Sequence, residues 1–572
     1  MRYLALACDY DGTIATDGRV DDLTVAALER LRASGRKLLL VTGRQLDDLC
    51  RVCAQVSLFD VVVAENGAVL YWPDTREEKI LAEPPPELFV HALQQREILP
   101  LSVGRVIVAT WHPHETRVIE AIRDLGLELQ VIFNKGAVMV LPSGINKATG
   151  LGAALSHLGL SPHNVVGVGD AENDHAFLRL CECSVAVANA LPMVKEGVDW
   201  VTHHDHGAGV CELIDGMVSA DLADLEPRLQ RHNVLLGTRQ DNGVEEVHLM
   251  PYNTNLLVAG TSGGGKTTLA TGIMERLIEQ GYQVCVIDPE GDYAQLEDTV
   301  SLGDASRAPN PEEVLTLLEN PQQSVVMNLL SIALEDRPAL FERLLSRLLQ
   351  LRAHTGHPHW IVVDEAHHLL PASRDATAVL LPRETYGIMM LTVQPQHVMP
   401  AALALVDTII AIGEAPQETL SHFSAVLGEP PPTLTVHSLE QGEAMVWSRR
   451  DGAEPLWIRA VPPRAERQRH VRKYAEGDLG LDSSFYFRGP EAQLNLRAQN
   501  LMVFLQIAAG VDDATWLYHL HEGDYERWFR NVIKDAALAE EIAHISARQD
   551  VSAAESRAHV RAAIEKRYTA PV

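Results

Sequence analysis

Residues 5–16 read ALACDYDGTIAT. Four small or apolar residues run into two carboxylates, Asp9 and Asp11, and then a glycine. An apolar run that short, closed by a turn residue, is a buried strand delivering polar groups to the edge of a sheet. Asp9 and Asp11 lie two apart, so at a strand end their side chains share a direction. Paired carboxylates so placed divide the work of phosphoryl chemistry, one attacking phosphorus and the other managing the leaving group's proton.

Outward from this stretch the same grammar repeats. KLLLVTGR (37–44), DVVVAENG (60–67), NVVGVGDAEND (164–174) and CSVAVANA (183–190) are apolar runs bounded by turn residues, and LTVAALERLRASG (23–35) has helical spacing and closes on glycine. Alternating β and α elements predict a parallel sheet covered on both faces, with ligands at the carboxyl ends of its strands. Thr42 stands at one such end, where its hydroxyl can hold a phosphate oxygen. Lys147 opens a helix and supplies positive charge. Asp170 and Asp174 offer hard oxygen ligands for Mg2+, with Asn173 beside them.

A second phosphate motif begins at Asn255, NLLVAGTSGGGKTTLATG. Gly260, Thr261, Ser262, Gly263, Gly264, Gly265, Lys266 and Thr267 fit the nucleotide-binding loop, with Thr268 beside them, between an apolar strand and a helix. Backbone N–H groups there face phosphates at the positive end of the helix dipole, Lys266 reaches the β and γ oxygens of ATP, and Thr267 ligates Mg2+. HWIVVDEAHHLL (359–370) ends a strand in Asp364, placed to hold Mg2+ through water, and Glu365, placed to polarise the attacking water. GIMMLTVQP (387–395) brings Gln394 toward the γ-phosphate. The second carboxylate points to ATP hydrolysis rather than phosphoryl transfer to a hydroxyl.

The first motif set, in this order, resembles the haloacid dehalogenase-type phosphatases of the Cof-like branch, over residues 1–218. That resemblance implies a Rossmann-like core (1–67 and 146–218) with an inserted α/β cap (68–145) that closes over substrate. It implies Asp9 as nucleophile forming an aspartyl-phosphate and Asp11 as general acid, then base. Thr42 and Lys147 would neutralise the transferring group, and Asp9, Asp170, Asp174 and the Asp11 carbonyl would bind Mg2+, assisted by Asn173. The second set, with VIDPEGDY (286–293), is similar to the HerA/FtsK group of motor ATPases over about 230–475. This implies a RecA-like domain (251–462) acting in a hexameric homo-oligomeric ring, completed by an arginine from a neighbouring subunit; Arg383 and the arginines at 464–472 are the candidates.

The remaining expectations come from composition. At 572 residues the chain exceeds one core, and no apolar run reaches a membrane span, so a cytoplasmic protein is expected. Seven cysteines, an odd number, argue against a disulfide framework. The CxxC of Cys50 and Cys53 reads as structural, and HHDH (203–206) as a solvated turn. TWHPHE (110–115) in the cap reads either as substrate contact or as a buried strand-to-helix corner. Residues 219–250 read as a connector with a short β element, 463–484 as a basic connector, and 485–572 as a helical domain with Trp516, Tyr518, Trp528 and Phe529 in its core. The net charge of −29 opposes nucleic-acid binding except through the basic run PPRAERQRHVRKY (462–474). The leading expectation is a Mg2+-dependent phosphatase for a phosphorylated metabolite or nucleotide, coupled to an ATP-hydrolysing ring. The alternative is a nucleic-acid motor or defence ATPase whose phosphatase removes terminal phosphates from DNA or RNA.

Overall fold

A computed structural model describes residues 1–240, 245–261, 264–373, 385–433, 439–450, 454–464, 484–491, 493–533, 535–546 and 552–568, with the single residues 382, 452, 479 and 548. The chain forms two compact units, Met1–Val461 and Pro462–Val572.

The first unit starts with β1 (Ala5–Cys8), β2 (Lys37–Val41), β3 (Val61–Ala64), β4 (Val69–Trp72) and β5 (Glu77–Ile80). The cap supplies β6 (Ser102–Val103), β7 (Val108–Trp111), β8 (Leu129–Asn134) and β9 (Ala137–Pro142). The chain then returns through β10 (Val165–Gly169), β11 (Cys183–Ala186) and β12 (Trp200–Val201). The core sheet has the order β12-β11-β10-β1-β2-β3-β4-β5. From β12 to β3 it is parallel, and β1, β3, β10 and β11 are buried along their whole length, as near-continuous apolar strands sandwiched by helices must be. Cys8 pairs with Val168 on one side and Leu40 on the other, so Asp9, Asp170 and Thr42 leave the sheet close together.

The hairpin β4–β5 corrects the expected start of the cap. It pairs antiparallel with β3 and extends the core sheet, so residues 68–80 belong to the core and not to the insert. The cap proper is the antiparallel sheet β6-β7-β9-β8, packed against the helices Glu87–Gln95 and Glu115–Asp124 around Phe89, Leu93, Val118, Ala121 and Val140.

The second sheet includes β13 (Val234–Arg239), β14 (Glu246–Leu249), β15 (Leu256–Gly260), β16 (Val284–Asp288), β17 (Thr299–Leu302), β18 (Ser324–Asn328), β19 (Trp360–Val363), β20 (Ile388–Thr392), β21 (Thr408–Ile412), β22 (Glu443–Ser448) and β23 (Leu456–Ala460). Their order is β14-β13-β23-β22-β21-β15-β20-β19-β16-β18-β17. Here too an expectation changes: the short β element of the connector is the edge of this sheet, β13 pairing antiparallel with β23. Seven strands, from β21 to β17, run parallel, and β20 lies between β15 and β19.

The two sheets meet at their amino edges. Arg2 precedes β1, His163 precedes β10 and Glu182 precedes β11; facing them, Tyr252 precedes β15, Tyr282 precedes β16 and His357 precedes β19. His163 Nε2 lies 2.8 Å from the Gln280 carbonyl, and its ring stacks on Tyr282 at 3.7 Å. The Tyr282 hydroxyl donates to Glu182 at 3.2 Å, and His357 Nε2 donates to the Gly159 carbonyl at 3.1 Å. Glu182 also takes Arg2 at 2.5 Å and His163 Nδ1 at 2.6 Å. Burial opposes the Glu182 charge, but His163 and Arg2 outweigh it and hold this carboxyl well below the ordinary glutamate range.

The second unit has a hairpin, β24 (Phe485–Phe487) with β25 (Leu496–Ala498), and five helices among the described residues. Trp516, Trp528 and Phe529 lie in its core with Phe504 and Tyr525, whereas Tyr518 is exposed. Among the described residues no helix is long and apolar enough to cross a membrane.

Candidate active sites

The first candidate site is assembled at the carboxyl edge of the first sheet. Helix Lys147–Leu158 starts there because Asn146 caps it, accepting from the Ala148 and Thr149 N–H groups while Thr149 answers with a bond to the Asn146 N–H. That start aims Lys147, 1% exposed, at two carboxylates: its Nζ donates to Asp9 at 2.5 Å and to Asp174 at 2.6 Å. Burial works against the ammonium, yet Asp174 and Asp9 outweigh it and keep its pKa above the ordinary lysine value. Burial, then repulsion from Asp174, pushes the Asp9 carboxyl well up despite Lys147.

Asp9, Asp170 and Asp174 each bring an oxygen within 4.8 Å of the others. Three converging carboxylates are the hard-oxygen donor set that Mg2+ takes. Asp174 is already engaged, however. One of its oxygens holds Lys147 and the other accepts the N–H groups of Asp170 (2.8 Å) and Ala171 (2.9 Å). It fixes the loop carrying Asp170, whereas the Asp9 and Asp170 carboxylates meet side chains alone, those of Lys147, Lys135 and Thr13, and are the freer to turn to an ion.

Gly12 turns this loop. Its φ is +86°, and a Cβ there would run into the Asp170 carboxylate. The Gly12 carbonyl accepts from Asn189 Nδ2 at 2.7 Å and from His206 Nδ1 at 2.9 Å. HHDH is therefore not wholly a solvated turn: His203 and His204 are exposed against Glu212, but His206 reaches the Gly12 carbonyl in the loop after Asp9. Asp11 points to Arg44, whose Nε and Nη2 grip it at 2.6 and 2.7 Å. Thr42 is 1% exposed and accepts the Arg44 N–H. Asn173 donates to Asn66 Oδ1 at 3.0 Å, while Asn173 Oδ1 and Asn66 Nδ2 are buried without a hydrogen-bond partner. Two such orphaned groups beside Gly43 suit a polar ligand.

Two residues join cap and core at this pocket: Glu65, which follows β3 at its carboxyl end, and Lys135 on the cap. Glu65, fully buried with φ +50°, accepts the N–H groups of Arg105 (3.0 Å), Val106 (2.8 Å) and Ile107 (3.0 Å) from the cap. Lys135, at the tip of the β8–β9 hairpin, sets its ammonium on Asp170. The TWHPHE group is a corner buried only at Thr110. Trp111 and His112 are about half exposed beside that hairpin, and His112 stacks on Phe133.

In the second sheet, helix Lys266–Glu279 begins at the nucleotide-binding loop. Lys266 Nζ donates to the carbonyls of Gly260 (3.1 Å) and Thr261 (3.2 Å); burial lowers its pKa while Glu365 and Asp364 oppose that. Ser262 and Gly263 lie outside the described residues, as do Arg383, Arg467, Arg469 and Arg472. Thr267 Oγ1 donates to Asp292 at 3.3 Å. Asp288 holds that loop by accepting from Gly291, Asp292 and Tyr293. Asp364 is 3% exposed, and burial with the neighbouring Glu365 raises its carboxyl to about 8. Glu365 takes a left-handed backbone, φ +43°, and its carboxyl is raised by burial. His367 Nδ1 lies 3.3 Å from Glu365 and 3.2 Å from Thr392 Oγ1, bridging the two strand ends. Gln394 is exposed two residues beyond β20.

Comparison with known proteins agrees with this division. Residues 6–95 and 102–214 match the haloacid dehalogenase-like hydrolase family, and residues 247–393 match the AAA ATPase domain. A phosphoglycolate phosphatase of Methanothermobacter thermautotrophicus is 32% identical over 219 residues, covering 37% of this chain and 96% of that one. Phosphoglycolate phosphatase 2 of Saccharolobus solfataricus is 27% identical over 225 residues, 38% of this chain and 94% of that one. A crystal structure of a haloacid dehalogenase-like hydrolase from Bacteroides thetaiotaomicron aligns with TM-score 0.33 at 18% identity, over 38% of this chain and 99% of that one. Through residues 6–214 the chain belongs to the haloacid dehalogenase-like hydrolases, and it joins that phosphatase to an AAA ATPase domain in a single polypeptide.

Proposed function

We propose that the first sheet and its cap form a Mg2+-dependent phosphatase for a small phosphomonoester of the phosphoglycolate kind. In this reading Asp9 attacks phosphorus, its ester bond to phosphorus forming as the bond to the leaving alcohol breaks; Asp11 protonates the departing oxygen. Asp11, now a carboxylate, takes a proton from the water that splits the aspartyl-phosphate, returning Asp9 and releasing phosphate. Lys147 and Thr42 hold the phosphoryl oxygens, joined by Asn66 and Asn173. Asp9 and Asp170 would hold Mg2+, which when bound supplies charge compensation for the displacement. Arg44 orients Asp11. The observation that carries this reading is the convergence of Asp9, Asp170 and Asp174 on one buried lysine.

The second sheet is read as a RecA-like motor domain of the HerA/FtsK kind, hydrolysing ATP in a homo-oligomeric ring. Lys266, Thr267, Asp364 and Glu365 carry the chemistry, and His367 links Glu365 to Thr392. A screen of 2-phosphoglycolate, sugar phosphates, nucleotides and 3′- or 5′-phosphorylated oligonucleotides, with and without ATP and Mg2+, tests both halves. Short acidic phosphomonoesters should turn over only with the metal, and Lys266→Ala should abolish ATP turnover alone. Preferential release of phosphate from oligonucleotides would replace this reading with the nucleic-acid one.

A further inference from the structure

One cation in the phosphatase pocket comes from the cap. Lys135 sits in the turn between β8 and β9 with φ +45°, followed by Gly136 at +91°. The tip is held from its sides. His112 stacks on Phe133 with the rings 6.1 Å apart and nearly parallel, and a Cβ on Gly136 would lie 3.4 Å from the His112 ring. Asn134 Oδ1, next to Lys135, is buried without a partner. From this tip the ammonium crosses to the core, pairs with Asp170 and passes directly over Gly12; a Cβ there would lie 2.6 Å from Nζ.

Asp170 belongs to the carboxylate set that suits a divalent ion. An ammonium and such an ion repel each other at contact distance and compete for the same oxygen. The lysine stem is half exposed, so Nζ is free to swing away from Asp170 while staying above the nucleophile loop. The phosphoryl group is already served from the core by Lys147 and Thr42. What remains for Lys135 is the part of the substrate that leaves. Its ammonium abuts Asp170, whose carboxylate neighbours that of Asp9, so only a short alcohol spans from phosphorus to Nζ.

We infer that Lys135 is the specificity-determining residue of this cap, binding a carboxylate on the leaving alcohol. The inference rests on the phosphatase reading and names the residue that selects the substrate at that site. A flexible point charge suits a carboxylate, whereas a sugar would call for a mixed set of donors and acceptors.

The test compares 2-phosphoglycolate with ethyl phosphate, which has the same carbon count and no carboxylate, on the full chain with Lys135→Ala and Lys135→Arg. A lost charged hydrogen bond predicts a fall in kcat/KM of about 30-fold for 2-phosphoglycolate in Lys135→Ala, carried mainly by KM. Lys135→Arg should recover most of it, and ethyl phosphate should change by less than about 3-fold. A second arm needs no turnover: calorimetric titration of 2-phosphoglycolate into Asp9→Asn, with and without Lys135→Ala, should show about 30-fold weaker binding when the lysine is absent. Equal losses on both substrates, or unchanged binding, would overturn the inference. A wild-type chain that hydrolyses neither compound refutes the phosphatase reading itself, and the binding arm still decides the role of Lys135.

Discussion

Glu65→Gln is the most direct probe of how the cap is held. The native carboxylate accepts three backbone N–H groups from residues 105–107 of the cap in a fully buried setting. Glutamine keeps the shape but has one acceptor oxygen, and its NH2 must face at least one of those N–H groups. The two remaining bonds also lose their ionic character. One orphaned buried donor costs roughly 1–3 kcal/mol, and about 2 kcal/mol is a factor of roughly 30 in the closing equilibrium. Amide hydrogen exchange, resolved to Arg105–Ile107, should accelerate by about that factor while the β1 and β10 amides keep their protection. Phosphatase kcat/KM for 2-phosphoglycolate should fall in parallel, because an open cap carries Lys135 away from the loop of Asp9–Thr13 over which it lies. Unchanged exchange at 105–107 would show that Glu65 does not latch the cap.

Further outcomes follow from the same geometry. Lys147→Met leaves Asp9 and Asp174 buried without their shared cation, so urea unfolding should show a loss of about 3–5 kcal/mol at neutral pH, and phosphatase activity should vanish. Gly12→Ala should fold yet lose nearly all phosphatase turnover, since a Cβ at φ +86° collides with Asp170; ATP hydrolysis should be untouched. Glu182 has a depressed folded pKa, so its contribution to stability is present above the ordinary glutamate pKa near 4.5 and fades as pH falls below it. Glu182→Gln should therefore lower stability at pH 7 and flatten its decline between pH 4.5 and 3 in denaturant titrations. Chelation should silence phosphate release, and added Mg2+ should restore it, both read by a coupled phosphate assay.

The polar residues that end apolar strands were legible in the sequence because the strand itself fixes where they emerge. Asp9, Asp170, Lys266 and Asp364 each follow a buried run or open a helix, and strand register then does the rest. Glu65 ends its apolar strand just as Asp9 does, but nothing local marks it as the acceptor of N–H groups 40 to 42 positions on, and Lys135 meets a partner 35 positions away only when the cap docks on the core. Arg44 lay in plain view beside Thr42, but nothing local marks it as the partner of Asp11. The hairpin β4–β5 went to the cap because β5 is an exposed edge strand, EEKI, with no buried alternation to tie it to the core. Strand β13, next to the edge strand β14, looked like a linker for a similar reason. Its partner β23 lies more than two hundred residues further on.

The back-to-back meeting of the two sheets has a consequence for traffic. Strands such as Val165–Gly169 and Val284–Asp288 both start at the shared wall and run outward, each about 17 Å long, so the two reaction mouths open on opposite sides of the first unit. Phosphate freed at one mouth must diffuse through bulk solvent to reach the other, which rules out hand-to-hand transfer within a chain. Within the chain the two sites are linked through packing alone, Tyr282 stacking on His163 at the start of the strand that ends before Asp170.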